Sequence, residues 1–429
     1  MTQHTQSTQG KLDPAWVAAV TGGRPGPEAA PARDLRWDTR ELAAGEAFVA
    51  LPGARTHGNA FLAEAAAKGA AFLLTDQAHP RAVRVPDAYR ALVRLGRALR
   101  DRFPNPVIGV TGSVGKTSTK EAIAQGLGFS APEGNLNTPP ALARFFLHLG
   151  RPQGAVVELG IDRPGEMDDL LALADPTLGV LTAVAPAHLE GLGSLEAVAR
   201  EKTKLLRHAP LKLAEHELAE RLGLAAETYG FSPGARFSGR DLVLLPEASE
   251  FRYQNLRVRL PYPGRGVALA ALAALAVAEL LGRPPAEVAE RLAGLKLPPG
   301  RMEVQQHGPY RVLFDAYNAN PASLAAGLEV LARQPGRKVA VIGEMKELGE
   351  KAPLYHQRAA LEAARVADLV VFVGDYAELM AEVAGGLAAQ STEEASALLK
   401  AHLRPGDSVY LKASRALGFE KLLEVFDAG

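Results

Sequence analysis

The sequence predicts an α/β protein of three domains: a small α/β N-terminal module, a central domain with a mainly parallel sheet, and a C-terminal Rossmann-like, doubly wound domain. Three observations support this. The chain has 429 residues, and domains usually hold ~100 to 200. Strand-like apolar runs alternate with helical ones, which favours parallel sheets covered by helices. The stretch VIGVTGSVGKTSTKEAI has the form of a strand, a glycine-rich turn and a helix.

Composition and charge exclude several classes of protein. Lys plus Arg equals Asp plus Glu at 48 each, so no overall positive field draws the chain to nucleic acid or an anionic membrane. The absence of cysteine excludes disulfides, thiolate metal sites and a cysteine nucleophile. No uncharged run approaches the ~20 residues of a membrane span. We expect a cytoplasmic protein with a short flexible polar leader, MTQHTQSTQG, and no membrane insertion.

The first domain is predicted over residues 1–84. GEAFVAL and AAFLLTD have the composition of short strands, and FLAEAAAKGA between them that of a helix. The central domain is predicted over residues 85–297. It begins with the amphipathic AYRALVRLGRALRDRF, continues with the strands PVIGV, GAVVELG and LGVLTAV, and contains a long Ala/Leu helix from Val267 to Leu281.

The third domain is predicted over residues 298–429, after a hinge at Pro298-Pro299-Gly300. Helical segments there separate four strands, RVLFDAYN, KVAVIGEM, ADLVVFVGD and DSVYLKAS. This is the pattern of a doubly wound unit about the size of a nucleotide-binding half domain.

The glycine-rich turn is the strongest functional signal. The usual P-loop pattern, G-x-x-x-x-G-K-[ST], would put its first glycine at Val110, whereas the glycines here are Gly109 and Gly112, so the match is to T-G-x-x-G-K-T. Backbone amides and a helix N-terminus would surround a phosphate, beside Lys116 and Thr117. The alternative is a glycine-rich turn without a ligand. We predict a central P-loop ATPase domain.

An acid and a histidine follow neighbouring strands of this domain. Glu158 ends the apolar strand within GAVVELG, where P-loop proteins keep a magnesium-binding acid, although a capping or solvated glutamate is the alternative. His188 follows LGVLTAV, at the edge where α/β sheets bind ligands, although a structural histidine is the alternative.

Lys202 falls on the apolar stripe of the helix SLEAVAREKTKLL, with Leu195, Val198 and Leu205, whereas Lys204 lies on the polar side. Burial favours the neutral amine, which can react with CO₂ to form a carbamate able to ligate Mg²⁺. A lysine that snorkels to solvent or pairs with an acid is the alternative.

Several of these segments together resemble the Mur ligase family, the ATP-dependent amide-bond ligases of peptidoglycan synthesis. The motifs occur in the family's order over nearly the whole chain: TGSVGKTSTK, GNLNTPP, AVVELG, APAHLEGLGSLEAVAREK, PPGRME, DAYNANPAS and IGEMKELGEKAPLYH. DAYNANP and GEM-x-ELG resemble the member that adds D-alanyl-D-alanine. The D-N-P-R signature of the diaminopimelate-adding relative is absent.

The resemblance implies an ATP site, two Mg²⁺ ions and catalytic groups in the central and third domains. The implied catalytic residues are Lys116, His188, Lys202 and Arg301. The implied ATP contacts are Gly112, Ser113, Gly115, Lys116, Thr117, Ser118, Arg301, Asp315 and Asn318. The implied metal ligands are Thr117, Glu158, His188 and a carbamylated Lys202.

The resemblance also implies substrate contacts at both ends of the chain. WDTR and RTHGNAF resemble a uridine-nucleotide pocket and contribute Thr39, Arg40, His57 and Gly58, which makes residues 1–84 a UDP-substrate-binding domain. GNLNTPP contributes Asn135, Asn137 and Thr138. SRALGFE contributes Ser414 and Arg415 to the cleft for the incoming amine.

The implied reaction joins D-alanyl-D-alanine to UDP-MurNAc-tripeptide through an acyl phosphate, giving the pentapeptide, ADP and phosphate. The motifs leave the third residue of the tripeptide open, and we expect a monomer. One departure concerns adenine: PGRGVALAAL has Gly266-Val267 where the family usually has His-Asn. Two alternatives are a ligase with another amine or acyl substrate, such as a folylpolyglutamate-type enzyme, and a nucleotide switch that ligates nothing.

Overall fold

A computed structural model describes residues 11–53 and 55–427. The predicted leader, residues 1–10, lies outside the described residues. The chain divides into two compact units: the first comprises residues up to Gly109 with Ser130–Gly160 and Gly165–Leu178, and the second comprises Val110–Phe129, Ile161–Pro164 and Gly179 onwards. The described residues form three sheets, of five, eight and six strands. The α/β class with three sheet-based modules is therefore confirmed, while the domain limits at 84/85 and 297/298 stay predictions.

The first sheet belongs to the first unit and has the strand order β1-β5-β4-β3-β2. Only the β1–β5 pair is antiparallel. The predicted strands in GEAFVAL and AAFLLTD are present as β3 and β4, both fully buried. The strands and their helices are β1 (Arg24–Pro25), β2 (Leu35–Arg36), β3 (Ala47–Val49), β4 (Phe72–Thr75), β5 (Ala82–Arg84), α1 (Pro14–Thr21), α2 (Leu62–Ala67) and α3 (Ala88–Asp101), with a 3₁₀ helix at Gly58–Phe61.

The second sheet has the order β13-β12-β11-β10-β9-β8-β6-β7. The strands are β6 (Val107–Thr111), β7 (Ala155–Glu158), β8 (Leu178–Leu181), β9 (Leu211–Glu215), β10 (Glu227–Gly230), β11 (Phe237–Leu244), β12 (Ser249–Tyr253) and β13 (Leu256–Leu260). The helices are α4 (Lys116–Leu127), α5 (Pro139–His148), α6 (Glu166–Ala174), α7 (Leu189–Leu192), α8 (Leu195–Lys202), α9 (Lys204–His208), α10 (His216–Leu222), α11 (Arg265–Leu280) and α12 (Pro285–Leu292).

Strands β11 to β13 form an antiparallel extension that the sequence patterns did not predict. Arginines on its solvent face interrupt the apolar runs, so that only every second residue is buried in β12 and β13. The predicted Ala/Leu helix is present as α11. It is apolar nearly all round and buried on most faces, as expected of a helix inside a core, and it packs against α4.

The third sheet has the order β14-β15-β19-β16-β17-β18 and lies within the second unit. The four predicted strands are present as β15, β16, β17 and β19, and parallel pairing joins them. An antiparallel edge strand, β14, and a short β18 were not predicted. The elements are β14 (Glu303–His307), β15 (Tyr310–Phe314), β16 (Lys338–Gly343), β17 (Leu369–Val373), β18 (Leu387–Ala389), β19 (Ser408–Lys412), α13 (Pro321–Ala332), α14 (Ala352–Val366), α15 (Ala377–Ala384), α16 (Thr392–His402) and α17 (Glu424–Asp427). Short 3₁₀ helices occupy Gly349–Lys351, Arg415–Leu417 and Phe419–Leu423.

The helix predicted around Lys202 differs in two respects from the expectation. It breaks at Thr203 into α8 and α9, and Leu195, expected on the buried stripe, is 38% exposed. Lys204 lies on the side of the helix that carries Glu201, as predicted, and its Nζ is 2.8 Å from the Glu201 carboxylate, which is buried rather than solvated. Across the described residues we find no helix whose length and apolar character suit it to crossing a membrane.

Candidate active site

The turn between β6 and α4 contains two glycines, one required by close packing and the other by its backbone conformation. A Cβ on Gly112 would lie 2.0 Å from Thr182 Oγ1 and 2.9 Å from the amide nitrogen of Ala183, so no larger residue fits without movement. Gly115 caps α4 at φ 81°, a left-handed conformation that favours glycine. The chain therefore enters α4 at a helix N-terminus, which is an arrangement suited to an anion.

Hydrogen bonds from the segment after β8 fix this turn. The Ser113 amide donates to the Ala183 carbonyl at 2.8 Å, and the Ser113 hydroxyl donates to the Ala185 carbonyl at 2.9 Å. The hydroxyl of Thr182 donates to the Val114 carbonyl at 2.6 Å. The turn is thus preorganised by the protein itself.

Lys116 and Thr117 begin α4. The Lys116 ammonium donates to the Gly112 carbonyl at 2.8 Å, so its charge lies over the turn. Thr117 is 2% exposed, and Ser118 is half-buried. A lysine charge above a glycine-rich turn matches the needs of a nucleotide's terminal phosphates.

The predicted metal ligands offer a hydroxyl, a carboxylate, an imidazole and an amine. Glu158 ends β7, is 3% exposed, and accepts a hydrogen bond from the Asn137 side chain at 3.1 Å. Oxygen donors such as those of Thr117 and Glu158 suit Mg²⁺, and an amine becomes an oxygen donor only as a carbamate. The donor atoms of these residues therefore fit magnesium if Lys202 is carbamylated.

His188 precedes α7 in a left-handed conformation, at φ 55°. Its Nδ1 lies 2.8 Å from Asp162 Oδ1 and 2.6 Å from Glu347 Oε2. Burial alone would lower the pKa of this imidazole, but the two carboxylates outweigh burial and raise it above its ordinary value. The same contact lowers the pKa of Asp162.

Lys202 is the last residue of α8 and is 0% exposed, which confirms the inward orientation predicted from helical spacing. A lysine buried to this extent does not snorkel to solvent, so that alternative is excluded.

Two arginines flank the ring of Tyr317. The Arg301 guanidinium carbon lies 4.2 Å from the ring centroid and that of Arg415 lies 5.4 Å from it. The Nε of Arg301 is buried without a hydrogen-bond partner among the described residues. Ser414, beside Arg415, is 4% exposed and accepts a hydrogen bond from the Lys346 amide at 3.2 Å.

Asp315 and Asn318 follow β15. Asp315 accepts a hydrogen bond from Lys412 at 2.7 Å and another from the Met302 amide at 3.2 Å. Asn318 is exposed, and its side chain accepts a hydrogen bond from the Ala319 amide at 2.8 Å.

The GNLNTPP segment leads into α5. Asn135 and Thr138 are exposed, and Thr138 precedes α5 without a side-chain capping bond, so both side chains face solvent. Asn137 is half-buried through its contact with Glu158.

A cavity of about 390 Å³ lies in the first unit, beyond the carboxyl ends of β3 and β4 and beside the start of α3. Its polar lining comes from His57, Asp76, Asp87, Tyr89 and Arg90. Parallel sheets commonly bind ligands at this edge. The cavity is large enough for part of a nucleotide.

Of the four predicted uridine contacts, His57 lines this cavity. Gly58 is buried beside it, and a Cβ there would lie 2.7 Å from the Ala50 Cα. Thr39 is 6% exposed, with its carbonyl accepting a hydrogen bond from Lys68 at 2.7 Å, and the exposed Arg40 pairs with Asp38. Thr39 and Arg40 are not among the residues that line the cavity.

Sequence reasoning missed Asp162, Glu347, Tyr317 and Lys412 as neighbours of the predicted residues. Glu347 and Tyr317 lie inside motifs that were singled out, IGEMKELG and DAYNANP, but their partners come from distant parts of the chain. Lys412 ends a strand in which every residue is buried. A lysine at the end of such a strand was the sequence feature that could have indicated a buried acidic partner.

Comparison with known proteins agrees with these features. The "Mur ligase middle domain" family matches residues 110–278, and "Mur ligase, glutamate ligase domain" matches residues 300–415. The UDP-N-acetylmuramoyl-tripeptide–D-alanyl-D-alanine ligase of Synechocystis is 34% identical over 89% of both chains. MurF from Acinetobacter baumannii superposes with a TM-score of 0.90 at 28% identity, covering 98% of this chain and 99% of that one. MurF ligase from Thermotoga maritima, solved with ADP, gives 0.83 at 29% identity, covering 92% and 97%. This chain belongs to the Mur ligase family.

Proposed function

We propose that this protein is an ATP-dependent ligase that joins D-alanyl-D-alanine to UDP-MurNAc-tripeptide, giving UDP-MurNAc-pentapeptide, ADP and phosphate. The observation that carries the proposal is the preorganised turn at Gly112 to Thr117. It occurs in a chain that aligns over about nine-tenths of its length with relatives of that enzyme name. The same relatives favour this reaction over a folylpolyglutamate-type ligase or a nucleotide switch.

ATP is proposed to bind at the turn. The amides of Gly112 and Gly115 would face the β- and γ-phosphates beside Ser113, whose own amide already donates to the Ala183 carbonyl, and the ammonium of Lys116 already lies over the turn. Ser118 lies in the same first helical turn. Arg301, with a buried Nε that has no partner among the described residues, has hydrogen-bonding capacity to offer the γ-phosphate. Asp315 and Asn318 are proposed to contact the nucleotide from the third sheet.

Magnesium is proposed to be held by Thr117, Glu158, His188 and a carbamylated Lys202. Bound there, two Mg²⁺ ions would neutralise charge that builds on the phosphoryl group. The carbamate forms when the neutral Lys202 amine attacks CO₂, making an N–C bond and releasing one proton. ¹³CO₂ labelling tests it: a carbamate ¹³C signal is expected in the wild type and not in Lys202→Met. A signal absent from both would refute the modification.

The reaction has two steps. A carboxylate oxygen of the tripeptide attacks the γ-phosphorus, and the bond to ADP breaks, leaving an acyl phosphate. The D-alanyl-D-alanine amine then attacks the acyl carbon, phosphate leaves, and the amine loses its extra proton. Lys116 and Arg301 would offset repulsion between the two anions in the first step.

Separate groups of residues are proposed to bind the substrates. The cavity at His57 and Gly58 is the candidate uridine site, and Thr39 and Arg40, which do not line it, are proposed as further substrate contacts. Asn135, Asn137 and Thr138 are proposed to face the tripeptide, and Ser414 with Arg415 to face the dipeptide amine. We further propose domains at 1–84, 85–297 and 298–429, and a monomer.

Phosphate release tests the function. With ATP and Mg²⁺, release is expected to require both UDP-MurNAc-tripeptide and D-alanyl-D-alanine, and mass spectrometry is expected to show the pentapeptide. Tripeptides carrying diaminopimelate or lysine at the third position, compared at equal concentration, identify the acceptor. Phosphate release that requires neither substrate would show ATP hydrolysis without ligation and would contradict the proposal.

A further inference from the structure

His356 is a buried histidine that the proposed reaction does not use. It ends the motif IGEMKELGEKAPLYH and lies near the start of α14, with none of its surface exposed. The same motif contains the whole connection from β16 to α14, residues 344–351, which we call the GEM loop. Buried polar side chains usually have hydrogen-bond partners, and those of His356 connect it to this loop.

Both ring nitrogens of His356 are engaged. The Met345 amide donates to Nε2 at 2.8 Å, and Nδ1 lies 2.7 Å from the Ala352 carbonyl. Because an amide N–H only donates and a carbonyl only accepts, the ring is neutral and carries its proton on Nδ1. Burial, which lowers the pKa of this imidazole below its ordinary value, favours the same neutral form.

Packing holds both partners of the Met345 hydrogen bond in place. The imidazole stacks on the ring of Tyr376, with the centroids 4.1 Å apart and the planes 15° apart. On the loop, the side chains of Met345 and Leu348 are buried in a hydrophobic cluster that also includes residues of α14. The bond from the Met345 amide to His356 therefore fixes the course of the GEM loop.

The GEM loop runs beside the segment that follows β19. Strands β16 and β19 are parallel neighbours, with Ile342 opposite Lys412, so the two segments leave the sheet at the same edge. They are closely packed, because a Cβ on Gly343 would lie only 2.7 Å from the Ala413 Cβ. A displacement of the GEM loop would therefore be transmitted to the residues after β19.

One hydrogen bond joins the GEM loop to the proposed dipeptide site. The Lys346 amide donates to the Ser414 hydroxyl at 3.2 Å, and Ser414 is itself buried. Lys346 directly follows Met345, so consecutive amides of the loop are bonded to His356 and to Ser414. The contacts therefore lead from a fully buried histidine to Ser414 and its neighbour Arg415.

We infer that His356 is a positioning residue for the dipeptide site: it fixes the GEM loop, and the loop fixes Ser414 and Arg415. The inference rests on the proposed function, which assigns those two residues to the incoming dipeptide amine. Because His356 is fully buried, it acts without touching the dipeptide. The phosphate-binding turn follows β6 in another sheet, so loss of His356 is expected to weaken dipeptide binding and to leave ATP binding unaffected.

Three substitutions of His356 separate its hydrogen bonds from its packing. His356→Phe keeps a ring to stack on Tyr376 but offers no acceptor. His356→Asn keeps a donor for the Ala352 carbonyl but is too short to reach Met345. His356→Gln has an amide oxygen that can accept from Met345, so it is the conservative variant expected to restore the contact. His402→Phe is the matched control, because His402 Nδ1 also contacts a carbonyl four residues earlier in its helix, at 2.8 Å, but its side chain is exposed.

Two measurements report on the loop and on the site. Hydrogen exchange of the Met345 and Lys346 amides is expected to be faster in His356→Phe and His356→Asn than in the wild type. In steady-state phosphate release, KM for D-alanyl-D-alanine is expected to rise about 10-fold in these two variants, the effect of about one lost hydrogen bond, while KM for ATP stays unchanged. His356→Gln should give a smaller rise, and His402→Phe none. Circular dichroism verifies folding, and either deleting variant is sufficient if the other does not fold.

The comparison of KM values separates positioning from a merely structural role. A histidine that only stabilises the core would change the fraction of folded enzyme, so its loss would lower kcat and leave both KM values unchanged. That result would overturn the inference. Faster exchange of the loop amides without a rise in the dipeptide KM would overturn it as well. Wild-type phosphate release that does not depend on D-alanyl-D-alanine would refute the proposed function, and the inference with it, before any variant is made.

Discussion

Lys412 Nζ donates a hydrogen bond of 2.7 Å to Oδ2 of Asp315, and the two side chains are only 3% and 14% exposed. The hydroxyl of Tyr410 contacts the same oxygen at 3.3 Å, while Oδ1 accepts from the Met302 amide at 3.2 Å. Both carboxylate oxygens are therefore engaged within the protein. Because Met302 follows Arg301, the pair also ties the arginine's segment to the third sheet.

Breaking this pair is expected to destabilise the third sheet. Lys412→Met leaves a buried carboxylate without its cation, and Asp315→Leu leaves a buried ammonium, so each should cost about 3 kcal/mol. The double variant should lose less than the sum, because no unpaired charge remains. Hydrogen exchange of the β15 and β19 amides measures these losses.

The control for that cycle is Lys421→Met, which removes a pair with Glu393 between side chains 66% and 72% exposed. Such an exposed pair contributes little to stability, so the hydrogen exchange of the β15 and β19 amides should not change. Additive losses in the Lys412 and Asp315 double variant would show that the two side chains are not energetically coupled.

Asp34 makes the first unit sensitive to acid. It accepts hydrogen bonds from Arg144 at 2.7 Å and contacts His148 at 2.8 Å, both on α5. Burial opposes its ionisation, but these partners lower the pKa from 3.8 to about 2. The unfolded chain thus binds a proton at higher pH than the folded one. Stability from Asp34 is fully present above about pH 4 and is lost as pH falls towards 2.

Asp34→Asn is therefore expected to lower the free energy of unfolding by about 2 kcal/mol at pH 7 and to flatten its dependence on pH between 4 and 2. Trp16 and Trp37 are the chain's two tryptophans and both lie in the first unit, so their fluorescence during urea unfolding reports on that unit. The pKa of Asp38 is also lowered, to about 2, but its partner Arg40 is 87% exposed. Asp38→Asn should therefore change stability little. Equal losses in the two variants would contradict the role of burial.

The parts of the fold that the sequence predicted are those governed by local pattern. β3, β6 and β16 are short apolar runs bounded by turn residues, and Lys202 could be placed by helical spacing alone. The contacts of His188 could not be predicted in this way, because Asp162 and Glu347 reach it only through tertiary structure. The helix break at Thr203 could not be predicted either, because no glycine or proline lies there to indicate it.

Gly112→Ala is expected to impair nucleotide binding more than folding. The added methyl group would lie 2.0 Å from Thr182 Oγ1, and the displacement needed to accommodate it would shift amides of the turn. We expect ADP affinity, measured by calorimetry, to fall at least 10-fold. Gly294→Ala is the control, since a Cβ there comes no closer than 3.7 Å to the Arg291 carbonyl. Unchanged ADP affinity in Gly112→Ala would contradict the proposed cradle.

The aromatic ring of Tyr317 is expected to hold Arg301 ready for the γ-phosphate. Because the guanidinium stacks at 4.2 Å from the ring centroid, Tyr317→Leu should loosen the arginine and lower kcat/KM for ATP about tenfold, the equivalent of about 1.4 kcal/mol. Arg301→Lys should cost more, because an ammonium lacks the planar set of donors that a guanidinium offers to phosphate. Steady-state phosphate release at varied ATP measures both. Arg283→Leu removes a guanidinium stacked on Phe129 at 4.9 Å and should leave kcat/KM unchanged. If Tyr317→Leu is as active as Arg283→Leu while Arg301→Lys is impaired, the arginine acts without help from the ring.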